Sequence, residues 1–218
     1  MSPDLVRVSG PDTWTFLQSL LSQDVDGLAD GERRGALLLT PQGKVQVLLG
    51  VRRDGADAVL DTDAGWGSVL VQGLERFRIR TAVEIALEVE GDAPDPAEEA
   101  ERIAAGVPRM GVDLDDSVIP QEAELEVDAV SFTKGCFVGQ ELVCRIDSRG
   151  HVNRFLRRLE FAGGEAPSPG AVILAGDREV GSITSAAAGH ALGFVRREVE
   201  PGTEVTVLGL PATVLHRR

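Results

Sequence analysis

Histidine and cysteine are scarce in this chain, with three of the first and two of the second among 218 residues. His151, His190 and His216 are far apart, and no CxxC, HxxxH or HExxH pattern occurs, so the sequence offers no protein-made zinc site. The two cysteines stand eight positions apart, too few for a disulfide framework. With a start, MSPDLVRVSG, that lacks the basic and apolar regions of a signal peptide, they are expected to be reduced thiols in a cytoplasmic protein. No apolar run approaches the roughly 20 residues that span a bilayer. No GxxxxGK[ST] loop is present, and the GxGxxG-like stretches lack a strand–turn–helix setting, which excludes the common nucleotide phosphate loops. Dispersed Ser, His and Asp residues show no spacing that favours a triad. Internal repeats and low-complexity tracts are also missing.

Positive charge is in short supply too. The net charge is −13, which argues against a general nucleic-acid coat with a basic face. Yet Lys134, Arg145, Arg149, Arg154, Arg157 and Arg158 crowd into one stretch with only Glu141 and Asp147 against them. A basic island in an acidic chain suits an anionic ligand. It equally suits a surface whose arginines pair with nearby carboxylates.

The pattern of apolar residues gives two textures. In SGPDTWTFLQSLLSQDV, Pro11 fits a first helical turn, and Trp14, Leu17, Leu20 and Leu21 share one face. GALLLTPQGKVQVLLGVRRDG reads as two strands turned at PQGK, because Val45, Val47, Leu49 and Val51 alternate with Gln46, Leu48, Gly50 and Arg52. Trp66, Val69, Leu70, Leu74 and Phe77 mark a second helix, and TAVEIALEVEG a half-exposed strand. GDAPDPAEEAERIAAG carries a capping aspartate (Asp95), Pro96, Glu98 three residues after the cap and a terminal Gly106, which predict a short surface helix. VGQELVCRI predicts another, ending before DSRG. From about residue 155, LRRLEFAGG, GAVILAG, REVGSITSA, HALGFVRRE, GTEVTVLG and LPATVLHRR are six short strand candidates between Gly and Pro turns, the pattern of a small antiparallel barrel or sandwich. The expectation is an α+β domain over 1–152 followed by an all-β domain over 153–218.

The densest chemistry lies in KGCFVGQE, residues 134–141. Reactive thiols need a depressed pKa, and a neighbouring cation or a helix amino terminus supplies it; Lys134 and a helix starting near Gly139 are placed to do so. Cys136 therefore suits a nucleophile, a redox thiol or a single ligand to an external metal cluster, or else a small apolar residue filling a glycine turn. Cys144, beside Leu142, Val143 and Ile146, reads as core packing. Glu122 in IPQEAELE follows Pro120 closely; a carboxylate there could read a donor-rich heterocycle edge or be one exposed glutamate among several. Lys44 reads as a solvated turn lysine.

These residues resemble the YgfZ family, relatives of the glycine-cleavage T-protein with the signature K-G-C-aromatic-x-G-Q-E. Lys134, Gly135, Cys136, Phe137, Gly139, Gln140 and Glu141 match it in register. IPQEAELE, AVSF, LGFVRR, FLQSLLSQDV and PQGKV extend the likeness over most of the chain. The resemblance implies a T-protein-like folate-binding domain followed by a small antiparallel β-barrel, with tetrahydrofolate or a folate derivative as ligand. It implies a role in iron–sulfur cluster assembly or repair and, through it, tRNA modification, with iron–sulfur proteins or cluster-assembly factors as partners. The working cysteine would be Cys136, and the folate-contacting residues Glu122, Lys134, Gln140, Glu141 and Arg149. Residues 53 to 95 look abbreviated beside typical members, and Leu48 stands where relatives place an aspartate after the QGK turn. Such an acid serves proton transfer or charge stabilisation in aminomethyl transfer. Whether the chain is an enzyme stays open at this point, between cluster maintenance, a folate-dependent aminomethyl- or methyltransferase, and a non-catalytic tRNA- or protein-docking module.

Overall fold

The computed structural model describes residues 2–217, apart from the side chain of Arg149. In chain order its elements are β1 (Asp4–Ser9), α1 (Thr13–Leu20), β2 (Arg33–Leu39), β3 (Val45–Asp54), β4 (Asp57–Thr62), α2 (Gly67–Glu75) and β5 (Glu84–Val89). There follow α3 (Pro96–Ala104), a 3₁₀ turn over Pro120–Ala123, α4 (Glu126–Ala129) and α5 (Gln140–Arg149). The chain then runs through β6 (Arg154–Phe161), β7 (Val172–Ala175), β8 (Arg178–Ala187), β9 (His190–Arg196), β10 (Glu204–Val207) and β11 (Leu210–Leu215). Two compact units form. One comprises Met1–Ala93, Asp116–Pro120 and Leu125–Arg149, and the other Pro94–Asp115, Gln121–Glu124 and Gly150–Arg218.

The first unit is built on an antiparallel sheet ordered β2-β3-β4-β1-β5. The alternation along β3 does what the sequence requires: Val45, Val47, Leu49 and Val51 are all buried. Val6 and Val8 of β1 join Leu38, Val47, Leu49, Val51 and Leu60 in one apolar cluster with Phe16, Leu17 and Leu20 of α1 and Leu70 and Leu74 of α2. Each such leucine contributes about 1.5–3 kcal/mol by leaving water. Helix α1 starts where the Thr13 hydroxyl donates to the Gly10 carbonyl (2.9 Å), while Asp12 accepts from the Ala82 N–H (2.8 Å). It stops at Leu21, which turns extended. The PQGK turn closes the β2–β3 hairpin with Gly43 at φ +75°, a conformation that favours glycine.

In the second unit, α3 has the expected capping box: Asp95 accepts from the Ala97 and Glu98 N–H groups, and Glu98 reaches back to the Asp95 N–H. It is more than a surface helix. Ile103 is fully buried and the helix packs on β8 and β9. All six strand candidates form, closing a barrel in the order β10-β11-β6-β9-β8-β7. The seam is the β7–β10 pairing of Ile173 with Val207 and Leu174 with Thr206, and Leu159, Ile173, Ile183, Val195, Val205 and Val214 fill the inside. A barrel closed in this way leaves no sheet edge exposed. Helix α5 runs through Arg149 rather than ending before DSRG.

Candidate functional site

The loop that carries KGCFVGQE lies in the first unit, and most of its signature residues work on the protein itself. The Lys134 ammonium donates to three carbonyls, those of Gln18 (2.7 Å), Leu21 (2.6 Å) and Gln23 (2.9 Å). These lie at and beyond the carboxyl end of α1, where helix carbonyls lack internal partners and a cation is favoured. Burial pulls the Lys134 ammonium down to about 8, against the opposing pull of Asp24. Phe137 is buried, with the Lys134 Nζ 5.7 Å from its ring centroid. The Phe137 N–H donates to the Gln140 side-chain carbonyl (2.9 Å), which closes the turn into α5.

Gly139 completes the anchoring. Its φ is +78°, and a Cβ there would lie 2.5 Å from the Thr40 carbonyl oxygen and 2.9 Å from the Gly43 Cα. Two glycine turns, PQGK and FVGQ, thus meet backbone to backbone, and Gly139 has no substitute. Glu141 is exposed in the first turn of α5, where a negative charge suits the helix dipole.

What the loop leaves outside is Gly135 and Cys136, both exposed. They line a cleft of about 340 Å³ together with Trp14, Thr15, Gln18 and Ser19 of α1 and Asp26. That volume falls in the range of small-molecule sites, about 300–1,000 Å³. Its walls are fixed. Trp14 donates from Nε1 to the Ala56 carbonyl (3.0 Å) and stacks under the Arg53 guanidinium, 4.4 Å from the ring centroid. Gln18 donates to Asp24 (2.9 Å) and accepts from the Val25 and Asp26 N–H groups. Sequence reasoning missed Trp14, Gln18 and Asp26 as neighbours of the thiol. The one available sign was that Trp14 and Gln18 are four apart on α1, hence on one face.

The remaining singled-out residues fall elsewhere. Glu122, in the second unit, accepts from Arg154 at both oxygens (3.0 Å from Nε, 3.3 Å from Nη2), and Arg154 also covers the Phe194 ring at 4.3 Å. Arg157 donates to Glu124 at 2.7 Å, and Arg158 to the Ala104 carbonyl at 2.6 Å. Two of the island's six basic residues, Arg154 and Arg157, thus pair with carboxylates, while Arg158 and Lys134 donate to backbone carbonyls. Arg145 is exposed on α5, Arg149 ends that helix with its side chain outside the described residues, and Cys144 is half-buried on it. Lys44 donates to the Ser117 carbonyl (2.6 Å) instead of lying free in solvent. Among the described residues no group of three or more His, Cys, Asp or Glu side chains could hold a metal ion, and no helix is long and apolar enough to cross a membrane.

Comparison with known proteins bears on this site. Residues 154–216 match the family described as CAF17, C-terminal beta-barrel domain. A protein named tRNA-modifying protein YgfZ from Serratia proteamaculans is 34% identical over 43% of this chain and 31% of its own length. Its namesake from Klebsiella pneumoniae is 25% identical over 76% of this chain and 72% of its own length. The chain is thus similar to YgfZ proteins over part to most of its length. A fungal relative, the mitochondrial iron–sulfur cluster assembly factor IBA57 homolog of Chaetomium globosum, is 39% identical over 29% of this chain and 15% of its own length. The crystal structure of the glycine cleavage system aminomethyltransferase T from Bartonella henselae superimposes with a TM-score of 0.86 at 19% identity, covering 98% of this chain and 82% of that one. The fold of this YgfZ relative is therefore that of the T-protein: an α+β unit and a closed antiparallel barrel.

Proposed function

We propose that this YgfZ relative is a cytoplasmic folate-binding protein that supports iron–sulfur cluster assembly or repair, and through it tRNA modification, with Cys136 as its working thiol. The observation that carries this reading is the division of labour in KGCFVGQE. Lys134, Phe137, Gly139 and Gln140 hold the loop, and the thiol alone is presented at a cleft. A signature that served only packing would bury its cysteine. The names of the YgfZ and IBA57 relatives supply the pathway.

The residue that supports a folate is Glu122. Glu122 is a carboxylate only 12% exposed and locked in orientation by the Arg154 fork, the kind of group that reads the donor edge of a pterin. Bound tetrahydrofolate would supply a carrier for one-carbon units. Of this chain's own residues, Glu122 would orient the ring, while Lys134 and Gln140 hold the loop that carries Cys136. Aminomethyl transfer is the less supported chemistry, because Leu48 stands on β3 where an acid would be needed.

Titrating tetrahydrofolate into the protein by calorimetry tests the ligand. Binding by the natural chain, weakened at least about tenfold (1.4 kcal/mol) by Glu122→Ala, is the expected result. No heat with the natural chain at any attainable concentration removes the folate assignment and leaves the thiol to be judged separately.

A further inference from the structure

Strand edges are ordinarily covered or closed, because their unpaired N–H and C=O groups would otherwise take up another strand. In this molecule the barrel has no edge, and the outer side of β2 is covered. There the Ser22 N–H donates to the Leu37 carbonyl (3.0 Å) and the Leu37 N–H to the Ser22 hydroxyl (2.8 Å). The opposite edge of that sheet is open. Strand β5 pairs with β1 alone, in regular register from Glu84 to Leu87 before a bulge at Glu88. Among the described residues no other group bonds to its main chain. Its side chains divide by face. Ile85 and Leu87 pack against the apolar cluster but are only half-buried, whereas Glu84, Ala86 and Glu88 on the other face are exposed. Glu88 is answered by Arg7 at 2.6 Å. The carboxylates of Glu84 and of Glu90, just beyond the strand, are exposed and have no hydrogen-bond or ion-pair partner among the described residues.

We propose that the β5 edge is a docking site for an extended basic segment of another protein, which adds to the five-stranded sheet as a further strand. The main-chain groups supply the pairing, as in strand addition generally, and the side chains choose the occupant. On the exposed face the incoming strand sets lysine or arginine against the glutamates. On the other face it sets apolar residues beside Ile85 and Leu87 and completes their burial. The fitting sequence therefore alternates basic and apolar residues. The same carboxylates exclude a second copy of this chain, because two β5 edges paired antiparallel about Ala86 would oppose Glu84 to Glu88. The proposal stands apart from the folate and from Cys136.

The test titrates the full chain into a fluorescein-labelled peptide, KVKIKVK, with anisotropy to read binding and amide hydrogen exchange to locate it. The peptides KVKPKVK, whose proline lacks an N–H for the ladder, and EVEIEVE are the comparisons. Saturable binding of KVKIKVK with slowed exchange within residues 84–87 is expected, weakened at least about fivefold by the proline and absent for EVEIEVE. The double variant Glu84→Lys, Glu90→Lys, with a midpoint of unfolding within about 2 °C of the natural chain, is expected to bind KVKIKVK about five- to tenfold more weakly. Unslowed exchange at 84–87 at every attainable peptide concentration overturns the proposal. So does equal binding of the proline peptide, which would mean adhesion of charges without strand pairing. Binding that the double variant leaves unchanged overturns the basic occupant. Exchange at 84–87 that slows as the protein alone is concentrated overturns it in favour of self-pairing.

Discussion

Two turns of this molecule carry the charged residues that stand out in its sequence, and they use charge differently. In the first unit, the loop around Cys136 has one cation, Lys134, and spends it on three backbone carbonyls at the end of α1. In the second, the Gln121–Glu124 turn has two anions, Glu122 and Glu124, each answered by an arginine of β6. The first arrangement pins a loop and leaves the Cys136 thiol facing a cleft. The second fastens a turn to the barrel and leaves its charges neutralised. A run of basic residues in a sequence is thus no measure of the charge a ligand meets, because partners distant in sequence decide what remains.

Substitutions can break each half of that comparison. Gly139→Ala is expected to be the most damaging, at about 3–4 kcal/mol, since it forces a side chain into left-handed backbone and against the Thr40 carbonyl; urea unfolding reads it directly. Arg157→Ala attacks the second turn. Arg157 is 9% exposed; its loss leaves Glu124 to the more distant Arg217 at 4.0 Å and is expected to cost about 2–3 kcal/mol. Lys134→Met removes one donor from three carbonyls and is expected to cost about 2 kcal/mol, with faster amide hydrogen exchange at the end of α1. The exposed pair Arg178–Glu198, whose side chains are 64% and 44% exposed, is the control: Arg178→Ala is expected to cost under about 0.5 kcal/mol.

Acidity sharpens the comparison further. The Lys134 ammonium, lowered to about 8, lies below its value in an unfolded chain, about 10.4. Between those values the unfolded chain binds more protons, so this side chain makes stability rise with pH. The stability difference between the natural chain and Lys134→Met is expected to widen from pH 7.5 to pH 10. A narrowing difference would mean that the three carbonyls hold the ammonium charged more strongly than burial discharges it.

Much of the fold was legible because local signals agreed with it. The Asp95–Glu98 capping box, the PQGK turn, the α1 stripe and all six barrel strands needed only nearest neighbours to be read. Strand β4 was not read. Its Ala58, Val59 and Leu60 are buried in succession, as in a strand central to its sheet, and so show no alternation. The extra turn of α5 through Asp147 and Ser148 runs against their weak helix propensity and is a tertiary effect. At the site, the signature located Cys136, but the cleft walls came from α1, over a hundred residues earlier in the chain. Likewise Lys134 looked like an activating cation, and only its three carbonyl partners show that it is a staple.

The most direct test replaces Cys136 with serine in cells that lack their own copy of the protein, and assays an iron–sulfur enzyme. Cys144→Ser serves as control, and the midpoints of the purified variants are measured alongside. Loss of enzyme activity with Cys136→Ser, at a midpoint within about 2 °C of the natural chain and with Cys144→Ser active, is the expected result. Full activity with serine at 136 would contradict it and return the thiol to the status of a surface side chain.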